Sequence, residues 1–304
     1  MGAGPFVGPG GLRASLFPGM KCYCPGASPG AAGKAVVPTH TAPVSVFVLA
    51  MTAAAASGQA AVEIAPHRAV YDLTLGSARS GAQVSAVDGE MTFRWADTCD
   101  GWTIEQNYRL DFLYTQGAEV ELTSSYAIWE SRDGTELAFS TRTVSNGVVD
   151  EEIRGLATRP APGEPGTVVY RLPQEAERPL PAEAIFPTAH TIALLEHAEA
   201  DATLFAALLF DGTHFDTLTE ISAVIGTRRS APESPAQPLL ARPSWPVRLA
   251  FFTEAGPVPD YEIAVRLYDN GVIDAMDIDY GDFVVHATVS ELEALPAACP
   301  AEAP

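Results

Sequence analysis

The sequence predicts an all-β protein, a long antiparallel meander that carries one helix. Three observations lead there. After residue 66, Asx-Gly dipeptides recur between runs that alternate in polarity or are rich in Val, Ile, Thr, Tyr and Phe, which is how strands joined by tight turns read. Only one stretch has a helical period, whereas a parallel sheet needs a crossover helix at each return. The hairpin YEIAVRLYDNGVIDAMDIDYGDF, residues 261–283, sorts its apolar and acidic residues onto opposite faces, as a sheet with one dry and one wet side requires.

The chain begins with a segment of different chemistry. Residues 1–60 contain no Asp or Glu, hold both lysines, Lys21 and Lys34, and end in VSVFVLAMTAAAASGQA. An apolar run followed by small residues is the form of a secretory h-region and its cleavage site, and this run is shorter than the ~20 apolar residues that span a bilayer. The expectation is a leader and export signal over 1–60, cut between Ala56 and Val62, then one β domain over 61–304 exported to the periplasm. The Gly/Pro-rich stretch before Lys34 is longer than a signal needs, which points to an early gene start. The exported part keeps 15 arginines and no lysine against all 38 acids, a balance that repels nucleic acid and anionic head groups. Of four cysteines, Cys22 and Cys24 lie in the leader, so Cys99 and Cys299 remain. Two lone thiols in an oxidising compartment pair.

The strands follow in order. Asp88-Gly89 reads as a turn before MTFRWA, and Asp100-Gly101 separates that run from WTIEQNYRLDFLY. Asp133-Gly134 divides ELTSSYAIWES from ELAFSTRTV, Asn146-Gly147 introduces VVDEEIRGLAT, and Asp211-Gly212 comes later. RPAPGEPG (159–166) is a short break. In FPTAHTIALLEHAEA, Thr188 is the expected N-cap, and Ile192, Leu195 and Ala198 or Glu199 continue one face of the helix. A lone amphipathic helix beside a curved sheet covers or plugs the sheet's apolar concavity. The proline-rich stretch 228–246 reads as a surface loop inside one domain. At Asn270-Gly271 a two-residue type I′ turn pairs Val265 with Met276, Ile263 with Ile278 and Tyr261 with Tyr280. It leaves Arg266 diagonal to Asp277 on the wet face.

Candidate chemistry is sparse. His190 and His197 sit seven residues apart, ~10.5 Å along a helix, where a zinc pair needs a spacing of four. His214 and Asp216 alternate onto one strand face but lack a third metal ligand nearby. The acidic run with Asp274, Asp277, Asp279 and Asp282 fails the EF-hand pattern, because Asp282 stands where glycine is required; it reads as a solvated face. No G-x-S-x-G elbow and no phosphate-binding glycine loop occurs. Trp95, Trp102, Trp129 and Trp245 lie in or beside strands and are expected to fill a core. No catalytic, cofactor or metal site is therefore assigned.

HRAVYDLTL, a cysteine followed by GWT, SSYAIWES, IFPTAHTIALL, LFDG, PSWPVRLAFF, YEIAVRLYDNGV and DYGDF, with a closing cysteine, stand in an order that resembles the EipB family of periplasmic envelope-integrity proteins of Alphaproteobacteria. The resemblance runs from about Ala65 to Cys299. It implies an antiparallel β-spiral, an open barrel-like sheet related in shape to periplasmic lipoprotein carriers, stapled by a Cys99–Cys299 disulfide and without enzymatic activity. The expected function is non-catalytic support of the envelope by a monomer that binds an envelope protein, lipid or glycan. Two alternatives stand beside it: a carrier that holds a lipid or lipoprotein acyl chain in the concave face, with Ile192 and Leu195 as first candidates to occupy the cavity, and a hydrolase built on a remote histidine.

Overall fold

Turn chemistry and alternation produce most of the strands directly. The computed structural model describes residues 62–253 and 256–298. The expected leader with its cleavage site, Cys22, Cys24 and Cys299 lie outside the described residues. Eight strands come first: β1 (His67–Ala78), β2 (Val84–Asp97), β3 (Gly101–Tyr114), β4 (Glu119–Ser131), β5 (Glu136–Ser145), β6 (Val148–Thr158), β7 (Gly166–Leu172) and β8 (Ala176–Leu180). The two-residue β9 (Ala184–Ile185) leads into helix α1 (Pro187–Glu199). Then come β10 (Leu204–Leu209), β11 (Thr219–Ile225), β12 (Ser244–Phe252), β13 (Tyr261–Tyr268), β14 (Ile273–Asp279) and β15 (Phe283–Ala294).

All fifteen strands form one sheet in the order β8-β7-β6-β5-β4-β3-β2-β1-β15-β14-β13-β12-β11-β10-β9. Every pairing is antiparallel except that of β9 with β10. This order forces the sheet to curl. Its two edges, β8 and β9, are joined only by residues 181–183, which span at most roughly 14 Å. A flat sheet of this width would hold its edges roughly 65 Å apart at ~4.8 Å per strand. The result is a nearly closed, barrel-like sheet. Bulges in the β1–β15, β2–β3, β5–β6, β6–β7 and β13–β14 pairs add the twist and bend that such curling needs. The edges resist further pairing because β9 is short and β8 carries Pro179.

Several turns differ from expectation for identifiable reasons. Asp88-Gly89 is not a turn but lies inside β2; a Cβ on Gly89 would stand 2.2 Å from the Arg109 carbonyl oxygen, so glycine serves close strand approach there. Gly101 is already the first residue of β3, and the tight conformation falls instead on Cys99, with φ 67°. At 270–271 only Gly271 is left-handed, at φ 80°. Gly271 N–H donates to the Tyr268 carbonyl and Tyr268 N–H to the Val272 carbonyl, both at 2.9 Å, which makes a three-residue loop. The cause is distant: buried Asn270 uses its Nδ2 to donate to the Leu239 carbonyl (2.9 Å) in the short 3-10 turn Pro238–Leu240. A bulge between Val265 and Leu267 then restores the expected register, Val265 to Met276 and Ile263 to Ile278. The Tyr261 and Tyr280 rings lie 6.3 Å apart.

Asn146 (φ 50°) and Gly147 (φ 79°) are both left-handed and join Ser145 to Val148, so the type I′ geometry is found between β5 and β6. A Cβ on Gly147 would meet nothing within 4 Å. Gly147→Ala is therefore expected to cost backbone strain alone, about 1–2 kcal/mol, read as a lower urea midpoint at unchanged slope.

The interior has two apolar clusters. The first gathers Phe186, Leu194 and Leu195 from α1 and its entry with Phe139, Tyr170 and Trp245 of the sheet. The second is formed by β1, β2, β3, β4 and β15 around Tyr71, Leu110, Phe112 and Phe283. The helix thus lies against the concave side. The expected Thr188 cap is not made: Phe186 is the N-cap residue and supplies no side-chain bond. Glu130 of β4 caps instead, accepting from Thr188 N–H (2.7 Å) and Ala189 N–H (3.2 Å). The proline-rich segment connects β11 to β12, which pair directly, and its last three expected residues belong to β12.

Candidate functional site

Strand alternation carries Met91, Phe93 and Trp95 of β2, Ile263, Val265 and Leu267 of β13, and Met276 and Ile278 of β14 to the inside of the sheet. Opposite them stand His190 and Leu194 on one side of α1. Between these groups, at the junction of the two clusters, is a cavity of about 330 Å³. Its size is at the lower end of the ~300–1,000 Å³ typical of small-molecule sites. No Asp, Glu, Lys or Arg lines it.

Besides Gln106 and Thr191, whose hydroxyl donates to the Pro187 carbonyl (3.1 Å), the wall's polar groups fall into two sets. Tyr71 Oη donates to the Ile273 carbonyl (2.6 Å) and Tyr126 Oη to the Asp211 carbonyl (3.0 Å), while His67 Nδ1 lies 2.7 Å from the Ala65 carbonyl. Trp95 Nε1 and His190 Nε2 are buried without a hydrogen-bond partner. A buried donor or acceptor left unpaired costs about 1–3 kcal/mol, so each demands an explanation. Both histidines are held neutral at pH 7. Burial lowers the His190 pKa to about 4, and burial also lowers that of His67 against the raising effect of the Ala65 carbonyl.

The polar cap beneath the helix is the second electrostatic feature. Glu130 is 3% exposed, and burial pushes its carboxyl up to about 7, opposed by the two helix N–H bonds and by the positive charge of Arg159. Arg159 is itself fixed by bonds to the Gly134 (2.8 Å) and Ala184 (2.6 Å) carbonyls.

The residues singled out from sequence separate. His190 lines the cavity, whereas His197 is exposed with Nδ1 at 2.7 Å from the Ala193 carbonyl; their rings flank Phe205 from centroid distances of 5.5 and 4.8 Å. His214 and Asp216 do not share a strand face, since 211–216 is a loop. His214 is buried with Nδ1 2.9 Å from Thr213 Oγ1, and Asp216 pairs with Arg178 at 2.6 Å. Of the acidic run, Asp274 is not solvated: it is 6% exposed and bound by Arg266, with Nε to Oδ1 at 2.6 Å, and by Tyr268 Oη at 3.1 Å. Arg266 therefore serves Asp274 rather than Asp277. Ile192 and Leu195 do not line the cavity; Leu195 is fully buried in the first cluster, and the helix contributes Pro187, His190, Thr191 and Leu194. Trp95 and Trp245 are core residues as expected, with Trp102 packed against the same cluster. Among the described residues no group of three or more His, Cys, Asp or Glu is placed to hold a metal ion. Cys99 is exposed and is a bonded rather than a free cysteine, but its expected partner is not described.

Sequence reading missed Glu130 and His67, because strand alternation alone does not tell which inward polar residue meets a helix end or a cavity. It also missed a relay on the outer face, where Thr288 Oγ1 is 3.0 Å from His286 Nε2 and His286 Nδ1 is 2.5 Å from Asp277 Oδ1. This relay lies on a strand paired on both sides, so the ladders consume the backbone N–H groups that an oxyanion hole would need. A wider outer groove of about 940 Å³ runs past Asp72, Asp88, Glu90, Arg109 and Arg142. It is a mixed-charge face of the sheet, and Arg109 is already paired with Glu121 at 2.7 Å. The interior cavity is the candidate site.

Residues 58–296 match the family model described as EipB-like. The chain is similar to the cell envelope integrity protein EipB of Brucella abortus (strain 2308), with 29% identity over 259 residues covering 82% of this chain and 91% of that protein. It is also similar to the crystal structure of a beta-barrel-like protein of domain of unknown function DUF1849 from Brucella abortus. There the identity is 27% and the TM-score 0.70, over 78% of this chain and 100% of the other. No helix among the described residues is long and apolar enough to cross a membrane.

Proposed function

The chain belongs to the EipB-like family, and on that premise we propose that it supports cell-envelope integrity by holding a single apolar chain, such as a lipid or lipoprotein acyl group, in the cavity between α1 and the sheet. The protein acts without catalysis, as a periplasmic monomer. The name of the Brucella abortus relative supports the envelope role. The uncharged cavity of about 330 Å³ supports the ligand class, since moving an acyl chain's apolar surface from water into an apolar space is favourable. A helix that filled the hollow would favour a scaffold instead.

The test is native mass spectrometry of protein recovered gently from the periplasm, with binding of a fluorescent acyl probe. A bound chain is expected, and Met276→Trp, which fills the cavity, is expected to weaken probe binding at least tenfold. A protein that stays empty and ignores the probe would refute the reading, and co-purification of an envelope protein or glycan with such an empty protein would move the function to the outer surface.

A further inference from the structure

Two of the side chains that line the cavity each carry a buried polar atom that the fold leaves unpaired, Trp95 Nε1 and His190 Nε2, and these carry an inference about what is bound there. Trp95 is 4% and His190 8% exposed, and both line the same cavity. Trp95 Nε1 is a donor only, so what it lacks is an acceptor. No neighbouring group accepts from it in this structure, and the Tyr71 and Tyr126 hydroxyls turn their own protons to carbonyls. A pure hydrocarbon would leave both atoms unsatisfied. A carboxylate would find no cation, since no Arg or Lys lines the wall, and an isolated charge in an apolar space is strongly disfavoured. The histidines do not supply that charge, being neutral by burial.

We infer that the cavity selects single-chain ligands whose polar end is uncharged and accepts hydrogen bonds, an acyl ester or amide, with Trp95 Nε1 donating to that end and His190 Nε2 giving it a second polar partner. The inference rests on the reading of the cavity as an acyl site. It narrows the class from fatty chains in general to esterified or amide-linked ones, and it excludes free fatty acid anions.

The experiment uses the exported protein and three ligands of equal chain length, methyl laurate, sodium laurate and dodecane, each displacing a fluorescent acyl probe at neutral pH. Methyl laurate is expected to bind about 5–10-fold tighter than dodecane, the worth of one or two buried hydrogen bonds, and at least about 10-fold tighter than laurate. Trp95→Phe and His190→Phe, which keep an aromatic ring, are each expected to remove about 2–3-fold of the ester's advantage over dodecane while dodecane binding holds. Equal affinities for ester and dodecane in the parent protein, tighter binding of laurate, or an ester advantage that survives both substitutions would overturn the inference while leaving the acyl site standing. Failure of the probe and all three ligands to bind would remove both.

Discussion

Replacing Cys99 with serine is expected to lower the unfolding free energy of the oxidised protein by about 3–5 kcal/mol and to leave that of the reduced protein nearly unchanged. The reasoning joins chain entropy to register. A Cys99–Cys299 bond would close a loop of 200 residues, for which restraint of the unfolded chain is worth about 5 kcal/mol. His67 of β1 faces Trp95 of β2 on one side and Ala294 of β15 on the other. Strands β2 and β15 therefore leave the sheet in the same direction, two strand spacings or ~10 Å apart. Cys99 follows Trp95 by four residues and Cys299 follows Ala294 by five, and Leu295 N–H still bonds the Pro66 carbonyl at 2.9 Å. A few residues beyond that point are enough to bring two Cα atoms within the ~6 Å a disulfide needs. Because Cys99 is exposed, serine there costs little packing, which is why reduction should erase the difference. Urea melts of parent, Cys99→Ser, Cys299→Ser and the double variant, with and without reductant, decide the matter. Equal midpoints under oxidising conditions would end the proposal, as would single variants that fail to match the double one.

The second large effect concerns pH, and it pits two buried groups against each other. Glu130 titrates at about 7 in the folded protein against 4.5 ordinarily, because burial outweighs its helix bonds. Between those values the folded state holds the extra proton, so this group makes the protein more stable as pH falls from 7 to 4.5. His190 titrates at about 4 against 6.5. Between those values the unfolded state holds the extra proton, so this group makes the protein less stable as pH falls from 6.5 to 4. Each is worth up to about 3 kcal/mol across its window, and in the parent they nearly cancel. His190→Phe is therefore expected to gain stability relative to the parent on acidification from pH ~7.5 to ~5, and Glu130→Gln to lose it, by about 2–3 kcal/mol each. Glu130→Ala, which strands two buried helix N–H groups, is expected to cost about 2–4 kcal/mol more than Glu130→Gln at every pH, since neither variant titrates. Denaturant melts across that range check the signs, and parallel pH profiles for parent and both variants would show that neither group is shifted as described.

Much of the sheet was legible because strand signals are local. VVDEEIRGLAT is β6 to the residue, since Asn146-Gly147 permits left-handed backbone whatever surrounds it. The inner positions of β13 and β14 followed from a period of two. The 270–271 turn did not follow, because Asn270 answers to a carbonyl 31 residues away. Asp88-Gly89 misled for a similar reason: a glycine chosen for close approach looks the same in sequence as one chosen for a turn.

The sequence by itself determined the class of fold, the position of the helix and the pairing of β13 with β14, all of which depend on backbone preferences within a few residues. Tertiary structure alone decided that the sheet curls until a three-residue link joins its two edges, that the Glu130 carboxylate caps α1, and that Trp95 and His190 line one uncharged cavity. These bring together residues up to 95 positions apart. Which of them form depends on where the curled sheet brings its inner face against the helix, and no local preference encodes that distance.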